Sequence, residues 1–192
     1  MTFLLLGLVV FLGVHSVRML ADGWRTRSLA RLGEGPYKGL YSVISLAGLG
    51  LLIYGFGLAR QQPVQLWASP FAMKHVASTL MLVSFVLLAA AYVPGNQIKA
   101  RLHHPMVLAV KTWALAHLLA NGNLAHVVLF GAFLAWAVWN FVAARRRDRA
   151  GGVVYPAGNS QGTVITVAVG VAAWALFAFW LHGWLIGVRP LG

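Results

Sequence analysis

Residues 103–126 read HHPMVLAVKTWALAHLLANGNLAH. Pro105 has no backbone donor, so it fits the first turn of a helix, where that donor would lack an intrahelical partner anyway. An apolar helix then runs to Asn121-Gly122-Asn123, a three-residue turn signal, and a second apolar helix begins at once. The stretch holds four of the chain's seven histidines, and most of it is apolar enough to lie inside a membrane. His117 falls shortly before the turn and His126 shortly after it, each roughly 6–8 Å from the hairpin tip at 1.5 Å per residue. Ionisable side chains at that depth mark functional sites by default.

The rest of the chain agrees with a membrane reading. Of 192 residues 60% are hydrophobic, only three are acidic and none is cysteine. No soluble domain of this length needs so much apolar surface, so one integral membrane domain over 1–192 is expected. The lack of cysteine excludes disulfides, thiolate metal sites and a thiol nucleophile. A net charge of +12 would suggest nucleic acid in a soluble protein. Here the basic residues fall between apolar segments, where they meet anionic lipid headgroups, and nucleic-acid binding is not expected. The first apolar run has no basic residue before it, is followed by Arg18, Arg25, Arg27 and Arg31, and ends in no small-residue cleavage site. It is expected to be a retained helix.

The predicted fold is all-α, a polytopic bundle of about six transmembrane helices near 2–20, 39–59, 71–92, 105–121, 123–144 and 162–186. The connections 21–38, 93–104 and 145–161 carry ten basic residues: Arg25, Arg27, Arg31, Lys38, Lys99, Arg101, Arg145, Arg146, Arg147 and Arg149. The other side has Arg60, Lys74 and Arg189. The positive-inside rule then places both termini outside, which in a Gram-negative bacterium is the periplasmic face of the inner membrane.

Along the helices, Phe11, His15, Arg18 and Asp22 share one stripe, and Arg18 with Asp22 reads as a helix-end ion pair. Trp24, Leu29 and Leu32 among arginines suggest that 21–38 lies in the interface. Ser42, Ser45 and Gly48, with Gly55 and Gly57, form a small-residue face suited to close helix packing. His126 and Asn140 mark the ends of an otherwise apolar stripe, and RRRDR at 145–149 reads as a stop signal.

Chemistry narrows by elimination. The sequence has no pair of embedded carboxylates, no Gly-rich phosphate loop and no nucleophile elbow. Histidine remains, pointing either to haem ligation or to an all-imidazole metal site. His15 and His117 lie nearest the bilayer middle, on different helices, where they suit either structural hydrogen bonds or axial ligation of one haem. Arg18, one turn toward the inside, then suits a propionate. The competing reading gathers His75, His117, His126 and His182 around one ion on the outer side. His103 and His104 read as a basic inner-surface helix start.

FLGVHSVRML (11–20), KGLYSVISLAGLGLLIYGFGLAR (38–60) and RLHHPMVLAVKTWALAHLLANGNLAHVVLFG (101–131) resemble the NnrU family, over nearly the whole chain. The combination HSxR, GLYSxxS and HPxxxxxKxWALAHLLANG carries the resemblance. It implies an association with bacterial denitrification and a role in nitrite and nitric oxide metabolism. The family is similar in turn to the 15-cis-zeta-carotene isomerase of plants and cyanobacteria, which binds haem b through two histidines. Those histidines fall in its HS…R and LAH motifs, at the positions of His15 and His117 here. The resemblance thus implies haem b held by His15 and His117, with an apolar polyene or isoprenoid as one candidate substrate. The turn after His117 is shorter here, and no residue demands a carotenoid. His126 is expected to line the distal side or the path of a ligand. The non-enzymatic alternative is an accessory or assembly factor for denitrification enzymes, with structural histidines. RLHHP also resembles the RHP motif of membrane methyltransferases. Those need an acid downstream, and Asp148 is the only acid after Pro105, which argues against methyl transfer.

Overall fold

Apolar runs long enough to cross a bilayer become helices here because only a helix satisfies its own backbone in lipid. The computed structural model describes residues 1–191. In chain order the helices are α1 (Thr2–Leu20), α2 (Asp22–Leu32), α3 (Glu34–Gln61), α4 (Ala72–Tyr92), α5 (Gln97–Leu102), α6 (Pro105–Ala120), α7 (Leu124–Ala150) and α8 (Ser160–Leu176). A π-helical turn (Phe177–Leu181) and α9 (His182–Ile186) complete the series. No strand forms among the described residues, and the only sheet-like pairings are isolated bridges at Gln65 with Asn123 and at Asn96 with Asn159. The all-helical expectation holds.

Five segments are long and apolar enough to cross a membrane: α1, α3, α4, α7 and the run Ser160–Ile186. The expected span at 105–121 is α6, whose 16 residues make a helix about 24 Å long against a hydrocarbon core of about 30 Å. Three expected boundaries move. Helix α3 starts at Glu34 rather than near 39, because Pro36 sits in its first turn, where the missing donor costs nothing. Helix α7 continues through the RRRDR run to Ala150, since arginine is a good helix former once the chain has left the hydrocarbon. The last expected helix is interrupted by the wider turn at Phe177–Leu181, which shifts the side-chain register of α9.

The chain forms two compact units. The first comprises Met1–Leu66 with Asn123–Ala132, and the second comprises Trp67–Gly122 with the residues from Phe133 onward. The division falls within α7.

In the first unit α1 packs on α3 through glycines. A Cβ on Gly7 would stand 2.6 Å from the Leu52 amide nitrogen, and one on Gly48 would stand 2.8 Å from that of Phe11. A Cβ on Gly55 would press closer still on the Leu4 backbone, whereas Gly57 faces open space. The small-residue face predicted on this helix is therefore the α1 contact, without Gly57. Leu4, Leu8 and Leu52 are buried along it. Helix α2 buries no residue, and Trp24 and Leu32 are exposed on it, as an interfacial segment would have them.

In the second unit α4 packs against α6 and α8. Ser84 of α4 donates to the Ala109 carbonyl of α6 at 2.8 Å, in a buried contact. Gly170 of α8 brings its backbone against Val86, where a Cβ would meet the Val86 Cα at 2.6 Å. Buried Asn96 ties the α4–α5 corner together: its Nδ2 donates to the Ala90 carbonyl at 3.0 Å and its Oδ1 accepts from the Lys99 amide at 2.7 Å. Asn159 caps α8 by accepting from the Gly162 amide at 2.7 Å.

Candidate functional site

Each of the two mid-helix histidines singled out from sequence is oriented by its own helix. His15, half-buried on α1, directs Nδ1 at the Phe11 carbonyl, 2.7 Å away. His117, half-buried on α6, directs Nδ1 at the Trp113 carbonyl, 2.8 Å away. A carbonyl can only accept, so both imidazoles carry a proton on Nδ1. That tautomer, held by a backbone carbonyl, is the usual state of a metal-binding imidazole. Aromatic rings also pin both side chains. The Phe11 ring lies 4.2 Å from that of His15, and Tyr41 of α3 meets His15 edge-on at 5.4 Å. Trp113 lies 5.4 Å from His117. Asn121, just beyond α6, donates to the His117 carbonyl at 2.8 Å and so ties the turn to the histidine's own backbone. Tyr41 was not legible as a site residue, because its pairing with His15 depends on the register of α3 against α1.

Arg18 is exposed on α1, one turn beyond His15. The expected Arg18–Asp22 pair does not form: Asp22 starts α2 and faces Arg25 at 3.8 Å. The break at Ala21 between the two helices removes the continuous spacing on which that pairing depended.

His126 differs in kind. Its ring packs edge-on to Phe56 at 5.1 Å and lies 6.1 Å from Phe130, and its buried Nδ1 has no hydrogen-bond partner. Phe56 in turn carries the Arg60 guanidinium 5.8 Å from its ring centre. A buried polar atom left unsatisfied costs about 1–3 kcal/mol and calls for an explanation. His75 is exposed beside Phe71, and His182 donates from Nδ1 to the Val188 carbonyl at 2.6 Å. Within neither unit do three of the described histidine, aspartate or glutamate side chains approach closely enough to hold a metal ion. His182 is bonded within its own terminal turn and His75 is exposed beside Phe71, so neither belongs to a three-ligand cluster within its own unit.

A second constellation lies where sequence predicted only a basic helix start. His103 separates α5 from α6 with φ 70° and ψ −50°, and the His104 amide donates across it to the Leu102 carbonyl at 2.9 Å. This is a γ-turn of the positive-φ type, which costs a residue with a Cβ about 1–3 kcal/mol. The His103 ring stacks on Tyr155 at 4.0 Å, and its Nδ1 accepts from the Arg145 guanidinium. His104 Nε2 donates to Asp148 Oδ2 at 2.7 Å, the Tyr155 hydroxyl donates to the same oxygen at 3.0 Å, and Arg145 stands 3.9 Å from it. Burial, reinforced by the bond to Asp148 and its charge, pushes the Tyr155 phenol above its ordinary range, against a smaller opposing effect of Arg145. Asp148, Arg145 and Tyr155 lie more than 40 residues from the histidines they meet, and no local spacing announces them.

No curated protein and no solved structure matches the chain. The histidines at 15 and 117 and the helices that orient them lie inside a family match that runs over residues 3–190, described as NnrU protein, and the chain belongs to the NnrU family.

Proposed function

We propose that this chain binds haem b in the bacterial inner membrane through His15 and His117 and serves a redox-linked role there. The observation that supports this reading is shared by the two rings: each imidazole donates its Nδ1 proton to the carbonyl four residues earlier, the orientation in which Nε2 is the ligating nitrogen of a haem-binding histidine. Bound haem supplies a one-electron couple, suited to electron exchange in nitrogen-oxide metabolism or to isomerisation of an apolar polyene. The chain's own residues do the rest. Phe11 and Tyr41 hold the His15 ring, and Trp113 holds that of His117. Arg18 meets a propionate from the helix that carries His15. His126, with an unpartnered Nδ1 beside Phe56, lines the path of a small ligand.

The test is the absorption spectrum of the full-length protein purified in detergent from cells supplied with haem, oxidised and then reduced, beside His15→Ala and His117→Ala. A Soret band with sharp reduced α and β bands, lost or shifted to a five-coordinate form in each variant, is the expected result. A colourless wild-type protein overturns the haem reading. Complementation of a deletion strain with the double variant then decides between a haem-dependent role and an accessory factor for denitrification enzymes.

A further inference from the structure

We propose that His103, Arg145, Asp148 and Tyr155 form an acid-released clamp that holds the strained α5–α6 turn to the end of α7. The inference lies wholly within the second unit and does not depend on haem. A guanidinium has donors and no acceptor, so the Arg145–His103 contact exists only while His103 Nδ1 is unprotonated. A proton on that nitrogen sets donor against donor and cation against cation. Asp148 has little left to offset the new charge: its Oδ2 already accepts from His104 and Tyr155 and stands 3.9 Å from Arg145. The elements around the turn supply no other counter-charge. Helix α5 carries Lys99, whose Nζ donates to the Ala91 carbonyl at 3.1 Å, and exposed Arg101. Helix α6 carries Lys111, the flanking charges of α7 are Arg146, Arg147 and Arg149, the end of α4 offers Tyr92, and the first turns of α8 have no charge.

His104 responds in the opposite sense. Its protonation strengthens the 2.7 Å pair with Asp148, so this contact stays as the pivot while His103 lets go. Once Arg145 is released, the positive φ at His103 loses the contact that ties its side chain to α7. The turn then relaxes toward ordinary backbone, and the 151–159 connection, stacked on His103 through Tyr155, loses its seat. The clamp thus converts acidification of its own aqueous face into opening of one corner of the fold.

The chain has no cysteine, so two labels can be placed without background. Leu102→Cys and Val154→Cys, at exposed positions on the two sides of the clamp, take spin labels in the full-length protein in lipid nanodiscs. Distances are measured at about pH 8 and about pH 5, which bracket the range where imidazoles titrate. One narrow distance is expected at the higher pH, with loss of it to a longer, broader one at the lower pH, reversibly. His103→Gln keeps an acceptor for Arg145 but cannot gain a proton, and should stay narrow throughout. Arg145→Gln removes the opposing cation and should also lose the acid response, whereas His104→Gln should keep it. An unchanged wild-type distance overturns the proposal, as does acid opening that persists in either His103→Gln or Arg145→Gln.

Discussion

His15 and His117 are fixed by contacts four residues away, which the sequence makes available in any fold: an imidazole inside an apolar helix has its own i−4 carbonyl within reach. Arg18 belongs to the same local logic. If it meets a haem propionate, Arg18→Gln should lower the midpoint potential by tens of millivolts, because loss of a nearby cation favours the ferric state; redox titration of the purified protein checks this. Tyr155 makes a different prediction. Its phenol is raised in the folded protein, so the folded state holds that proton more tightly than the unfolded chain does. The resulting stability is fully present below the unfolded value of about 10 and is lost as pH rises through the folded one. Tyr155→Phe keeps the stacking on His103 but should lower stability at neutral pH by about 1 kcal/mol. Its melting temperature should then fall less than the wild type's between about pH 9 and about pH 11. None of this was legible beforehand. Tyr155 and Asp148 look like a connection residue and part of a stop signal until α7 and the 151–159 segment are brought to His103 and His104.

Among the elements, the glycine face of α3 shows how far a helical repeat reaches. Spacing predicted a small face for close packing, and Gly48 and Gly55 do carry α1 against them. Spacing could not say where that contact ends, and Gly57 lies in open space. Gly55→Leu should therefore destabilise the protein by about 1–3 kcal/mol or more through overpacking, while Gly57→Leu should change stability little; thermal unfolding in detergent compares the two. The additional turns of α3 and α7 were missed for one reason. Hydropathy marks where a helix leaves lipid, and the backbone goes on winding through Glu34–Pro36 and the arginines at 145–149 as long as nothing breaks its hydrogen bonds. The π-helical turn at Phe177–Leu181 leaves no comparable mark in hydropathy, since every residue in it is apolar.

For the whole molecule, the open quantity is set by α6. If this 16-residue helix crosses the bilayer with the five longer spans, both termini lie on one side and the 151–159 connection lies on the other. Reporter fusions after Ala150 and at the C-terminus should then report opposite compartments, the former cytoplasmic. Equal compartments at the two positions would contradict a crossing by the Ser160–Ile186 run. A fusion after Tyr92 that falls on the same side as one after Asn121 would show that α6 does not cross. Sequence by itself determined the all-helical class, the apolar runs, the basic connections and that His15 and His117 each have an i−4 carbonyl within reach. Each of these follows from hydropathy or from contacts within one helical turn. Only the tertiary structure decided which glycines carry a neighbour, that His75 and His182 gather no third ligand among the described residues of their unit, and that Asp148 holds His104 and Tyr155 together. Those depend on which residues of different segments meet, and such meetings are set by the packing of helices, which periodicity within any one helix does not encode.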